Sequence, residues 1–155
     1  MKHIFNMEID KKDEKIIRVL KEHGDYTSRQ IAKETSLPLT TVHHRIKKLK
    51  EKGIIKKYTI ELDHKKIGKN IAAYILVSVD YKLLKRRKKS QHKLAKEIKE
   101  FPEVEKVDVI AGDIDIIVFA RTRDIEEMDV FLLKKLQSLV GVDKTQTLIV
   151  LHEGD

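Results

Sequence analysis

The chain has 155 residues, 41% of them apolar, with no cysteine and a net charge of +8. That suits one ordinary domain or two small ones, each with its own core, and not a disordered tail. The missing cysteine excludes disulfides, thiolate metal sites and a cysteine nucleophile; with no apolar run near the roughly 20 residues of a membrane span and no signal-peptide core at the start, a soluble cytoplasmic protein is expected.

The N-terminal half reads as helices. Ile16, Ile17, Val19 and Leu20 form an apolar stripe that predicts a first helix over about 11–22, with Asp10 as N-cap and Gly24 as the stop. Thr27 and Gln30 have capping-box spacing and open a second helix, through about Thr35. Ser36-Leu37-Pro38 breaks it, because proline disfavours helix at the residue before it. A third helix follows over about 39–52, with Val42, Ile46 and Leu49 inward and Gly53 at its end, where a left-handed residue is cheapest. Residues 54–58 and 59–62 read as the two strands of a basic hairpin. Two short helices around a tight turn, then such a hairpin, form the pattern of a winged helix-turn-helix, which sets its second helix in the major groove of DNA.

After Asp63 the composition changes. Residues 64–71 read as a linker and 72–81 as a strand. A helix over about 90–101 turns Leu94, Ile98 and Phe101 inward, and 104–122 form two strands joined at Ala111-Gly112-Asp113. Residues 124–139 form a helix with Ile125, Met128, Leu132, Leu136 and Leu139 inward, and 145–153 a last strand. The order β-α-β-β-α-β is the split ferredoxin-like arrangement, so the expected class is α+β: a winged helix-turn-helix over 1–63, a linker, and a ferredoxin-like domain over 72–155. Its helices cover only one sheet face. Yet Tyr74, Leu76 and Ser78 alternate with Ile75, Val77 and Val79, and Ile114, Ile116 and Val118 with Asp115, Ile117 and Phe119. Strands apolar on both faces expect cover on both, most simply a second copy of the sheet, which predicts a homodimer.

The charge is focused. Residues 39–57 hold seven Lys or Arg against Glu51 alone, and 82–89 hold six and no acid. With Val42, Ile46 and Leu49 buried, Thr40, Thr41, His43, His44 and Lys47 face outward and could reach base edges. Arg45, Lys48, Lys50, Lys56 and Lys57 are better phosphate partners, because point charges grip the backbone without reading sequence. Adjacent His43 and His44 point about 100° apart on a helix, so they do not share a metal. Residues 82–89 read as a solvated loop or as a further contact to wrapped DNA.

The chain resembles the Lrp/AsnC, or leucine-responsive and feast/famine, transcription regulators along nearly its whole length. Ile9-Asp10-Lys11-Lys12-Asp13 stands for the family's helix start. Ile31-Ala32, Leu37, Val42, Arg45-Ile46, Leu49 and Gly53-Ile54-Ile55 match its second signature. Gly112-Asp113-Ile114-Asp115 matches its Gly-Asp-x-Asp, and Gly141-Val142 with Thr145-Gln146-Thr147 its last-strand motif. Pro38 replaces the usual Ser that caps the recognition helix, though proline suits a helix start. The Lys, Glu and Ile richness suits a thermophile and an archaeal member.

The resemblance implies a sequence-specific regulator of transcription that binds double-stranded DNA as a homodimer assembling to an octamer. It also implies an amino-acid effector near Gly112, Asp113 and Asp115, and no cofactor, metal or membrane partner. Other readings are a DNA-compacting protein without specific sites, and a sirohaem-decarboxylase-like enzyme on the same architecture. Against the enzyme stand the absence of tryptophan and of a His-x-Arg-rich stretch in the second half.

Overall fold

A computed structural model describes residues 9–153. They fall into two compact units, one ending at Leu62 and one beginning at Asp63.

The first unit holds α1 (Lys11–Glu22), α2 (Ser28–Thr35) and α3 (Leu39–Glu51). Asp10 caps α1, accepting from the amides of Lys12 and Asp13 while Asp13 reaches back to the Asp10 amide. Thr27 and Gln30 close the same box on α2. Ser36, left-handed at φ 55°, ends α2, and the Leu37 amide returns to the Ala32 carbonyl. Ile16, Ile31, Val42, Ile46 and Leu49 make the core, with Ile17, Leu20, Tyr26, Leu37, Ile54 and Ile55 around it. Gly53, at φ 70°, turns the chain out of α3.

The expected wing strands are not there: among the described residues, none from 54 to 62 is in a strand. Ile54 and Ile55 are half-buried and every residue from Lys56 to Leu62 is exposed. A hairpin needs one face packed on something to persist, and this segment has no such face.

The second unit is a four-stranded antiparallel sheet in the order β2-β3-β1-β4, from β1 (Ile71–Val79), β2 (Val104–Val109), β3 (Ile116–Thr122) and β4 (Val142–Ile149). Its helices are α4 (Tyr81–Arg86), α5 (Gln91–Lys99) and α6 (Ile125–Val130), which runs on as a π-helical segment, Phe131–Leu136. Ala73, Ile75, Val77, Ile116, Val118 and Ala120 share a core with Leu84, Leu94, Ile98, Met128, Phe131 and Leu136. The opposite sheet face carries Tyr74, Leu76, Ile117, Phe119 and Leu148, brought side by side by the pairings Tyr74–Phe119, Leu76–Ile117 and Tyr74–Leu148. Tyr74 is 47% exposed and Leu148 44%.

Three sequence expectations change here, the first being the last strand, expected over 145–153 and found at Val142–Ile149. α4 lies where the run of cations suggests a loop. The last helix also buries different residues: Phe131 is fully buried while Ile125 is 52% exposed. Phe131 follows Met128 by three residues and shares its inward face, whereas Ile125 opens the helix; only beyond them does the turn widen, where the Gln137 amide reaches the Leu132 carbonyl five residues back. Phe131 meets Phe101 edge-on at 5.8 Å.

Gly141 joins the last helix to β4 at φ 107°, and its carbonyl accepts from the Asp80 amide. A Cβ there would run into the buried side chain of Leu84. Gly68 also has a positive φ, 77°, but faces open space. Gly141→Ala should therefore cost about 2–4 kcal/mol of unfolding free energy in urea, and Gly68→Ala about 1. Equal costs would contradict the packing of α4 on this corner.

Candidate DNA-reading surface and effector hairpin

The outward face of α3 follows from its inward one. With Val42, Ile46 and Leu49 buried, Thr40, His43, His44 and Lys47 occupy an arc of about 100° on the opposite side. All four are exposed and, with Leu39, line one shallow groove. Thr41 lies at the edge of this arc and is half-buried. His43 and Lys47 also border a second groove with Tyr26, Ser28, Lys50 and Tyr58. There the Lys50 ammonium sits 4.6 Å from the centre of the Tyr58 ring, a cation–π contact joining α3 to the segment after it. Lys48, Lys56 and Lys57 are exposed, and Lys47 is 3.8 Å from Glu51 one turn on, a loose surface pair.

Pro38 occupies the N-cap of α3 and not its first turn, and no side-chain oxygen caps this end. The first amides of α3 therefore lack a side-chain partner, as suits a helix end that meets phosphate.

Arg45 is placed differently from the other cations. Its NH1 nitrogen lies 2.7 Å from Asp10 Oδ2 and 2.9 Å from Asp13 Oδ1. The guanidinium thus fastens the middle of α3 to the start of α1, and half-buried Arg45 is not spread toward an outside phosphate. Asp10 serves both as N-cap and as ion-pair partner. The Asp13 amide first, then Arg45, holds its carboxyl below the ordinary carboxylate range, and the two aspartates raise Arg45.

In the second unit, Gly112 (φ 151°) and Asp113 are exposed in the turn between β2 and β3. The sequence pattern sets Asp113 and Asp115 two apart at the start of a strand. Both instead precede β3, which starts at Ile116, because the hairpin closes through the Ile110 amide on the Asp115 carbonyl. The Asp115 side chain is engaged within the fold: Oδ2 accepts from the Val79 amide at 2.8 Å and Oδ1 from the Tyr81 hydroxyl at 2.6 Å. This bond raises the Tyr81 phenol above its usual range. Asp113 makes no hydrogen bond or ion pair among the described residues. Tyr81 and Tyr58 have no signal in the sequence, since each meets its partner only in the folded chain.

Comparison with known proteins accords with this geometry. Residues 72–154 match the Lrp/AsnC ligand binding domain, and residues 9–56 a winged helix-turn-helix DNA-binding domain. The chain belongs to the Lrp/AsnC family of DNA-binding transcriptional regulators. It is 39% identical to the HTH-type transcriptional regulator FL11 of Pyrococcus horikoshii over 92% of this chain and 89% of that one. Its fold matches a transcriptional regulator of Neisseria meningitidis, solved as an L-Met complex, with a TM-score of 0.85 and 28% identity over 94% of this chain and 92% of that one. LrpC of B. subtilis matches at 0.81 and 27%, over 96% and 99%. Among the described residues, no helix is long and apolar enough to cross a membrane, and no cluster of His, Asp and Glu could hold a metal.

The Arg45 clamp makes a prediction about pH. The Asp10 carboxyl is depressed in the folded chain, so its stabilisation is present above about pH 4, its ordinary titration range, and is lost as pH falls through the lower folded value. Asp10→Asn should lower the melting temperature at pH 7, with the gap to wild type closing below about pH 4. Arg45→Ala should reproduce the loss at pH 7. A gap that is constant with pH would show that the clamp does not hold α3.

Proposed function

We propose that the chain is a sequence-specific regulator whose α3 reads the major groove through Thr40, His43, His44 and Lys47, with Thr41 at the margin. The observation that carries this is the exposed arc itself: hydroxyls, imidazoles and one ammonium, gathered opposite the buried face, all able to address base edges. Lys48, Lys50, Lys56 and Lys57 hold phosphate, and Arg45 sets the angle of α3.

The outer sheet face supports pairing. The Tyr74 ring meets Phe119 at 4.7 Å, tilted by 38°, beside Leu76, Ile117 and Leu148, an apolar patch that the chain's own helices leave uncovered. A second copy of that patch covers both and presents two α3 helices to one two-part DNA site; assembly toward an octamer builds on this dimer. An amino acid is the proposed effector, at the turn of Gly112 and Asp113. The L-Met complex of the Neisseria relative supports the ligand class. Asp113 offers a carboxylate for an ammonium, while Asp115 shapes the site through Val79 and Tyr81.

Titration of a bound duplex by fluorescence anisotropy tests the reading surface. His43→Ala and Lys47→Ala should each cost about 1–3 kcal/mol on the preferred site and much less on random DNA. Lys56→Ala should weaken both alike and flatten the log–log salt slope by about 1 for each phosphate no longer neutralised, out of the roughly five to eight that a dimer should neutralise. Equal losses on preferred and random DNA from His43 and Lys47 would reject α3 as the reader. Leu148→Asp should shift the protein to monomers in sedimentation, and unchanged oligomers would reject the sheet face as the interface.

A further inference from the structure

The most concentrated charge of the second unit lies on α4 and the turn after it. Between Tyr81 and Lys96 there are eight Lys or Arg and no acid, whereas the rest of residues 63–155 holds ten Lys or Arg against sixteen Asp or Glu. The structure sorts these cations. Lys89 is built in: its ammonium meets Glu97 and the Val140 carbonyl, and its side chain is 9% exposed. Lys82, Lys85, Arg86, Arg87 and Lys88 are all exposed, and none makes an ion pair or hydrogen bond through its side chain among the described residues.

The platform beneath them is ordered. Asp80 caps α4 on the Leu83 amide at 2.8 Å, Leu84 is 2% exposed, and the Lys89 amide closes on the Leu84 carbonyl. Lys88 turns left-handed, at φ 52°, to bring Lys89 to its anchor. Lys85 and Arg86 gain something from the carbonyl end of α4. Lys82, Arg87 and Lys88 have no such partner, and five like charges on a fixed platform repel one another until an anion arrives.

We propose that α4 and the turn after it form a second phosphate-binding surface, which grips DNA backbone beyond the stretch read by α3 and without regard to sequence. Charge complementarity selects the occupant: the chain already addresses a dense polyanion through another face. α4 is a six-residue helix whose exposed apolar group is the Tyr81 ring alone, tied to Asp115 through its hydroxyl, too little to enter a lipid surface. The proposal rests on DNA binding by α3, and the test separates the two.

Full-length protein and the triple variant Arg86→Glu, Arg87→Glu, Lys88→Glu are titrated onto two duplexes carrying the same site. One is trimmed to roughly 20 base pairs and the other extended to roughly 80, two and eight helical turns. Wild type should bind the long duplex at least tenfold more tightly, with a steeper salt slope. The variant should keep wild-type affinity on the short duplex and lose the gain on the long one, its slope there falling by about 3 per protomer. The neutral triple Ala variant should fall between them, and matching thermal melts certify folding. Unchanged affinity on both duplexes overturns the proposal, and so does an equal loss on both, which would place the patch on the stretch α3 already holds. Wild-type protein that binds neither duplex overturns the reading of α3 itself.

Discussion

Burial of Val42, Ile46 and Leu49 against Ile16 and Ile31 is the contact on which the proposed reading surface depends. A helix with one face committed to a core has no choice about the other. Rotation of α3 would expose three branched apolar side chains, at about 1.5–3 kcal/mol each. The Arg45 ion pairs add a polar constraint to the same end, tying α3 to the capped start of α1. Packing thus determines which residues face out, and the clamp determines how α3 is tilted against its neighbour. The side chains that would meet bases need no rigidity of their own.

The second unit solves a different problem. Its sheet buries one face under helices and leaves an aromatic and aliphatic patch on the other. A lone regulator half could not read two half-sites. A shared sheet face would supply the pairing, and the hairpin at Gly112 a place where a small ligand could bias it. Asp115 spends both oxygens on the Val79 amide and Tyr81, so the end of β1, the start of α4 and the hairpin are one connected piece. A ligand at the turn and the basic surface on α4 would both act on that piece.

Local signals in the sequence account for much of this. The Asp10 cap, the Thr27–Gln30 capping box, the break at Ser36–Pro38, the glycine after α3 and the inward face of α3 are all written within a few residues, and the structure has each of them. The β-α-β-β-α-β order is legible because its strands are strongly apolar. What the sequence does not show depends on distant partners or on departures from regular period. Arg45 looks like one more surface cation because Asp10 and Asp13 lie more than thirty residues away. The Asp115–Tyr81 bond spans a similar distance. Phe131 stands three residues after Met128 and shares its face, but the apolar pattern of the helix offers Ile125 and Leu132 equally well, and only packing selects among them. The wing residues alternate well enough for strands, but beyond Ile55 every one to Leu62 is exposed, and the Lys50–Tyr58 contact alone does not give them a packed face. α4 is hidden by its own charge, since six cations suggest solvent while Leu84 and the Asp80 cap hold the helix.

Two copies of one recognition helix, presented together, should read a two-part site. Selection of bound duplexes from a random pool tests this most directly. Paired presentation predicts an enriched pair of inverted half-sites with centres about one helical turn, or a whole number of turns, apart. A pool that stays random after repeated selection, although the protein retains DNA, would contradict it.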